Sequence, residues 1–299
     1  TTFGTSGLVA LDGSGLTLPT VTTGLVSVGI DANDCVYIAF IASSTGHSFT
    51  TNTAYLARLT VDGTLDTTWG TSGILSLTAL NSATSGLYIA QNQDGNFLVG
   101  AQVSSTVKVT GVTSSGGTIS GFTTFNSSSI NADTFTITGL LTTSDDSIFI
   151  VGSDTTTKNM AVIRLVGATG SLDQAFNTVG YNFFNLSSPD TTSTIQAGAI
   201  APDGQLYTAG YQINSGTTVP YVARLNNTPY IESVAQYPTA TEQGILDQSF
   251  GNPATQTYAG VVSLFNGKYG SSLLDKPAAI MEIMTTSGVG SGVPPVGDI

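Results

Sequence analysis

The sequence predicts an all-β protein, a β-propeller of about five four-stranded blade units, and three observations support this fold class. A short phrase with an aromatic residue returns about every 60 residues along the chain. Asp-Gly and similar turn pairs lie between alternating apolar residues, which is a strong hairpin signal. Charged residues are 9% of the chain, whereas Thr, Ser, Asn and Gly are abundant. We expect one repeat domain over residues 1–288 and a Gly/Pro-rich tail over residues 289–299.

The returning phrase, which we name the junction segment, reads LDTTWGTSG at residues 65–73. LDQAFNTVG at residues 172–180 and LDQSFG at residues 246–251 repeat it, and GFTTFN at residues 121–126 is a degraded copy. One aromatic residue marks each copy: Phe3, Trp69, Phe125, Phe176 and Phe250. The copy marked by Phe250 opens a fifth unit that is incomplete in the sequence.

The parts of each unit follow a fixed order. A short apolar strand comes after the aromatic residue, as at residues 73–77. A two-strand hairpin around a tight turn follows, as at residues 87–101. A strand of the type YLARL, residues 55–59, precedes the next junction segment. Four strands repeated in this way are typical of a propeller blade.

The amino-acid sequence of the repeat resembles that of the delta-60 repeat family. The matching stretches are YLARLTVDGTLD at residues 55–66, AIAPDGQLYTAG at 199–210, YVARLNNTP at 221–229 and LDQSFG at 246–251. The resemblance runs from Thr1 to about Thr286. It implies a β-propeller-like fold, usually in surface or secreted proteins, and it implies no catalytic mechanism.

We predict structural roles for the junction segments. The leucines are expected to fill the core between blades: Leu65, Leu172 and Leu246. The aspartates are expected to cap the following turn through side-chain hydrogen bonds to the backbone: Asp66, Asp173 and Asp247. The five aromatic residues are expected to pack between adjacent sheets, and glycine permits the bend.

All three arginines of the chain occupy one repeat position: Arg58, Arg164 and Arg224. Lys108 lies in the matching strand of the second unit. One interpretation is a ring of cations that binds an anion. The other is that each arginine forms a fork with the aspartate of the following junction segment and locks the blades together. We favour the second, because repetition gives every arginine the same local partners.

Composition and residue counts exclude several function classes. A net charge of -12 with seven Lys+Arg disfavours binding to nucleic acid or to an anionic membrane surface. Cys35 and His47 are the only residues of their types, too few for a zinc site. DANDC at residues 31–35 lacks the glycine and glutamate of a calcium loop, so we predict a hairpin turn there. No metal and no cofactor are predicted.

We predict a non-enzymatic structural protein, extracellular or on a cell or virion surface, that assembles with copies of itself into a filament or layer. The fifth unit shows no second hairpin strand and no ARL strand, and the chain begins inside a junction segment. Either residues 1–11 pair beside the last unit, or a terminal strand completes a neighbouring subunit.

Two alternative functions stay open from the sequence. The first is a propeller module that binds a glycan or a protein, with aromatic residues in long loops as contacts: Phe49, Tyr230 and Tyr237. The second is a glycan-active hydrolase with paired carboxylates, for which Glu232 and Glu242 are the candidates.

Overall fold

The computed structural model describes residues 3–5, 7–9, 21–42, 52–130, 134–185, 192–201, 204–214, 216–225, 227 and 261–263. These residues form four antiparallel sheets of four strands each, which follow one another along the chain. The all-β prediction is therefore confirmed.

The strands of each sheet are consecutive in sequence. Sheet 1 contains β1 (Val21–Ile30), β2 (Val36–Ala42), β3 (Ala54–Leu59) and β4 (Ile74–Ser76). Sheet 2 contains β5 (Ala83–Gln91), β6 (Phe97–Val103), β7 (Thr106–Val112) and β8 (Phe125–Asn126). Sheet 3 contains β9 (Phe135–Thr142), β10 (Ile148–Asp154), β11 (Asn159–Leu165) and β12 (Tyr181–Phe184). Sheet 4 contains β13 (Thr192–Ile200), β14 (Leu206–Asn214), β15 (Thr217–Leu225) and β16 (Val261–Ser263).

The strand that follows the junction segment belongs to the preceding sheet, whereas the sequence analysis placed it at the start of the next unit. Ile74 of β4 pairs with Ala57 of β3, and Val261 of β16 pairs with Ala223 of β15. The reason is that the junction segment is itself a compact turn, closed by a bridge between Leu59 and Leu65. It returns the chain antiparallel to the strand that it has just left.

Three apolar cores hold the four sheets together, one between each consecutive pair. The first includes Leu56 of sheet 1 and Val99 of sheet 2, and the last includes Val162 of sheet 3 and Leu225 of sheet 4. The middle core joins sheets 2 and 3. Because both faces of the inner sheets are covered, their central strands are apolar almost throughout, as in β10.

Short connections link the sheets and the hairpins. Two 3-10 turns, Thr78–Leu80 and Ser127–Ile130, lead from one sheet to the next. DANDC forms the turn between β1 and β2, where Asp31 Oδ1 accepts hydrogen bonds from the backbone N–H groups of Asn33 and Cys35. Within the described segments, no helix has the length and apolarity to cross a bilayer.

Several residues named above lie outside the described residues. They are Phe49, His47, Tyr230, Glu232, Tyr237, Glu242, Leu246, Asp247, Phe250 and the tail of residues 289–299.

Candidate functional site

The pairing register defines equivalent positions in the sheets. Each arginine lies opposite an aromatic residue of the neighbouring strand: Arg58–Tyr37, Arg164–Phe149 and Arg224–Tyr207. The carbonyl groups of Arg58 and Arg164 also accept a 3.0 Å hydrogen bond from the backbone N–H of Asp66 and Asp173. The arginine and the junction aspartate are therefore fixed beside each other by the backbone.

Arg164 connects sheet 3 to sheet 4. Its Nε and Nη2 atoms lie 2.6 and 2.5 Å from Asp173 Oδ2. Its Nη1 donates to Asn227 Oδ1 at 2.7 Å. Asn227 lies shortly after Leu225, where β15 ends. Asn227 is buried and donates in turn to the carbonyl of Gly204. A side chain of sheet 3 is thus bound to a residue just beyond the third strand of sheet 4.

Arg58 makes a looser set of contacts in sheet 1. Its Nε lies 3.4 Å from Asp66 Oδ2, and its Nη2 lies 3.9 Å from Asp31 Oδ2. Nη2 also donates to Cys35 Sγ at 3.2 Å. The side chain is 20% exposed, against 7% for Arg164. The ionic contacts of Arg58 are therefore longer and more open to water than those of Arg164.

An edge-to-face aromatic pair accompanies Arg58 and another accompanies Arg164. The rings of Tyr37 and Trp69 lie 5.6 Å apart at 85°, and those of Phe149 and Phe176 lie 5.5 Å apart at 77°. The Arg58 guanidinium lies over the Tyr37 ring at 5.6 Å. This geometry suits both the ring quadrupoles and the cation. Burial raises the pKa of Tyr37, so its hydroxyl stays protonated and donates to Asp31.

Trp69 reaches from the junction segment of sheet 1 into sheet 2. Its indole Nε1 donates to the carbonyl of Ser114 at 2.9 Å, in the turn after β7. Gly116 in that turn has a φ of +85°, and a Cβ there would lie 2.9 Å from Trp69 Cε2 and 2.6 Å from the nitrogen of Gly70. A glycine is therefore required where the junction segment meets the next sheet.

The same contact recurs at two other turns. A Cβ on Gly63 would lie 3.3 Å from Phe3, and a Cβ on Gly170 would lie 2.8 Å from Phe122. We name Gly63, Gly116 and Gly170 the socket glycines, because each receives an aromatic residue of a junction segment. The sequence analysis missed them, although the signal was a glycine shortly after the third strand of each of these sheets.

By backbone position the residue equivalent to Trp69 is Phe122 rather than Phe125, although Phe125 is buried in the core between sheets 2 and 3, as expected for a junction aromatic. The backbone N–H of Phe122 donates to the carbonyl of Ile119, as that of Trp69 donates to Asp66. Phe125 instead lies in β8, opposite Val109. GFTTFN contains two aromatic residues three positions apart, and spacing alone does not distinguish them.

Sheet 2 has no ion pair at the repeated position. The residue equivalent to the arginines is Gly111, which lies opposite Leu98, and Lys108 lies three residues earlier in β7. Ile119 stands where the other sheets have aspartate, and its Cδ1 is 2.7 Å from where a Cβ on Gly111 would be. An apolar contact therefore replaces the charged one.

The junction aspartates cap the turn that follows them. Asp66 Oδ1 accepts from the backbone N–H of Thr68 at 3.0 Å, and Asp173 Oδ1 accepts from that of Ala175 at 2.9 Å. The hydrogen bond from the Thr68 hydroxyl lowers the pKa of Asp66 most, and the backbone N–H of Thr68 and the nearby Arg58 act in the same direction against partial burial.

The leucine that precedes each described junction aspartate packs into a different core from the junction aromatic residue. Leu65 packs against the face of sheet 1 that points away from sheet 2, and Leu172 packs into the core between sheets 2 and 3. Both are half-buried. The leucine and the aromatic residue of one junction segment therefore contact different neighbours.

We expect Asp66→Asn to lower the free energy of unfolding by about 1 kcal/mol at pH 7. A carboxyl group whose folded pKa is depressed stabilises the fold above its unfolded pKa, near 4, and this stabilisation is lost as the pH falls through the folded pKa. Denaturant unfolding at pH 7 and at about pH 3 measures the difference.

Asp94→Asn is the control for this measurement, because Asp94 is exposed in the turn between β5 and β6. It is expected to change the unfolding free energy little at either pH. An equal loss for Asp66→Asn at both pH values would show that its charge is not the cause.

The junctions bind parts of the chain to one another. Arg58 and Arg164 donate to groups of the protein itself, and the aromatic residues fill contacts between sheets. Across the described segments, no group of three or more His, Cys, Asp or Glu side chains is placed to hold a metal ion.

A family model described as "Domain of unknown function (DUF5122) beta-propeller" matches residues 40–68 and 201–228. The first match contains β3 of sheet 1, and the second contains β14 and β15 of sheet 4. The chain has a β-propeller fold. None of the curated proteins matches it at a significant level.

Solved structures give distant similarities to this β-propeller. One is a protein of unknown function from Bacteroides caccae, with 9% identity, a TM-score of 0.39, and 81% of this chain and 73% of that chain covered. A luciferin-regenerating enzyme has 10% identity and a TM-score of 0.37, with 61% and 52% covered, so this chain spans about half of its length. Virginiamycin B lyase from Staphylococcus aureus has 10% identity and a TM-score of 0.32, with 74% and 88% covered.

Proposed function

We propose that the chain is a non-enzymatic structural protein, located outside the cell or on a cell or virion surface, that assembles with copies of itself into a filament or layer. The observation that carries this proposal is the pairing of exposed apolar side chains with a scarcity of lysine and arginine. Only seven residues are Lys or Arg, and Arg58 and Arg164 are engaged within the junctions. Soluble proteins commonly keep exposed strands and sheets apart with such charges.

The exposed apolar side chains lie on strands and turns in several parts of the fold. They are Leu8, Val26, Val28, Ile30, Val61, Val166, Val179 and Ile213. Three of them, Val26, Val28 and Ile30, are neighbours on β1, and contiguous apolar surface favours association with another protein surface. The abundance of Ser and Thr beside it supports a location outside the cell.

The junctions support a structural role for the repeats. The socket glycines, the Trp69 indole and the Arg164–Asn227 contact tie each sheet to a neighbour through groups on the backbone or in the core. A repeat array fixed in this way presents its surfaces in a constant geometry, which ordered assembly needs.

We also propose that these units are delta-60 repeats. The two segments matched by the β-propeller family model, residues 40–68 and 201–228, contain most of the stretches that resemble that family. These stretches are YLARLTVDGTLD and most of AIAPDGQLYTAG and YVARLNNTP.

Sedimentation velocity and negative-stain microscopy across a concentration series test the assembly. We expect the mean mass to rise with concentration and filaments or sheets to appear at the upper end. Sodium sulfate should strengthen the assembly, because it favours apolar burial and screens the net charge of -12 on each copy. Particles of one chain at every concentration would contradict the proposal.

A further inference from the structure

One edge of sheet 1 carries a stripe of exposed apolar side chains. Val26, Val28 and Ile30 alternate along β1 and are 48%, 61% and 60% exposed. They point away from sheet 2, because the intervening Gly29 faces sheet 2, where a Cβ would lie 3.3 Å from Ile89. We name these three residues the β1 stripe.

The equivalent positions of the following sheets are covered. Val28 lies opposite Ile38 in sheet 1, as Leu140 lies opposite Ile150 in sheet 3. Leu140 is 6% exposed, because sheet 2 packs against it. In sheet 2 the equivalent residue is Ile89, which packs against the core shared with sheet 1. The stripe therefore occupies positions that elsewhere in this fold contact a preceding sheet.

Part of this face of sheet 1 is already covered. Phe40 is buried, and Phe3 and Val9 pack against the core that contains it. Phe3 contacts the socket glycine Gly63, as Trp69 contacts Gly116 in sheet 2. The β2–β3 side of the face is thus closed in the way of an ordinary sheet junction, while none of the described sheets covers its β1 side.

We infer that the β1 stripe is the surface on which a second copy of this chain docks, and this inference rests on the proposed self-assembly. The reason is continuity with an established interface, because the same face of sheets 2, 3 and 4 is buried against another sheet of the same repeat. The stripe carries no charge, so its partner has to present an apolar sheet face. The described apolar surface of a second copy includes the same stripe, and attraction between the two must overcome the repulsion of two chains of net charge -12.

Single-cysteine variants test this inference. Cys35 is the only cysteine and is changed to alanine in the parent protein, which must assemble as the unaltered chain does. Val28→Cys places the thiol in the stripe, and Val179→Cys places it at an exposed position in the junction segment of sheet 3. The rate of maleimide labelling is measured for each variant in dilute solution and after assembly.

We expect Val28→Cys to react as fast as Val179→Cys in the dilute single chain and at least tenfold more slowly after assembly. Val179→Cys should react at the same rate in both states. Slow labelling of Val28→Cys in the dilute chain would overturn the inference, because the chain itself would then cover the stripe.

Two further outcomes separate this inference from the proposed function. Assembly in which Val28→Cys stays fully reactive would overturn the docking site and leave the proposed self-assembly standing. A chain that stays single at all concentrations, with Val28→Cys reactive, would overturn both. A closed dimer with the stripe protected would support the docking site and contradict a filament.

Discussion

Replacing Trp69 by alanine should lower the free energy of unfolding by about 3 to 5 kcal/mol, the usual range for truncating a fully buried large aromatic residue. The side chain is 2% exposed and packs between sheets 1 and 2 against Tyr37. Its removal leaves a cavity and also deprives the carbonyl of Ser114 of its donor. Denaturant unfolding, monitored by far-UV circular dichroism, measures the loss.

Two variants calibrate this prediction. Trp69→Phe keeps most of the apolar volume and loses the indole N–H, so its effect should be clearly smaller than that of the alanine variant. Phe122→Ala should also cost less, because Phe122 holds the equivalent position in sheet 2 but is only half-buried. A loss below about 1 kcal/mol for Trp69→Ala would refute a central role for this residue at the junction.

Arg164→Ala should lower the free energy of unfolding by about 3 kcal/mol, the lower end of the range for breaking a buried ion pair, because the guanidinium is 7% exposed and the carboxylate left without its partner is 16% exposed. Asp173 loses both of its contacts with the guanidinium, and the buried Asn227 loses its donor. The equivalent change Arg58→Ala should cost no more than about 2 kcal/mol, since that side chain is more exposed and its ionic contacts are longer. Chemical denaturation of both variants at neutral pH gives the comparison.

A double-mutant cycle identifies the source of the Arg164 effect. If the ion pair is responsible, Arg164→Ala combined with Asp173→Ala should cost much less than the sum of the two single changes. Additive losses would show that the aliphatic part of Arg164, rather than its charge, supplies the stability. Equal losses for Arg58→Ala and Arg164→Ala would also contradict the ranking drawn from exposure and distance.

The sheets differ in the side chains that fill the space beside the junction segment. Sheets 1 and 3 keep arginine and aspartate at the junction, whereas sheet 2 has Gly111 and Ile119 in their places. A buried ion pair and a well-packed apolar contact can stabilise a fold to a similar extent. The repeated geometry therefore lies in the backbone and in the aromatic contact with a socket glycine, and the charged pair is one of two ways to fill the space beside it.

Local sequence patterns predicted the strands well, because alternation and turn residues act over a few positions. The hairpin between β9 (Phe135–Thr142) and β10 (Ile148–Asp154) and the strand at Ala54–Leu59 follow directly from such patterns. The recurrence of arginine before a junction aspartate was also visible in the sequence. The same spacing did not tell Phe122 from Phe125, because both lie within one short polar segment and only strand register separates them.

The sequence by itself determined the class of fold and the period of the repeat, since both depend on residues close together in the chain. Only the tertiary structure decided to which sheet the strand after each junction segment belongs. The pairing of that strand depends on the turn geometry at Leu65 as well as on its apolar pattern. The tertiary structure also decided that Arg164 meets Asn227, 63 residues away, and that the β1 stripe is exposed while Leu140 is buried. Each of these depends on which sheets are neighbours, and that arrangement is set by packing over the whole fold rather than by any local stretch.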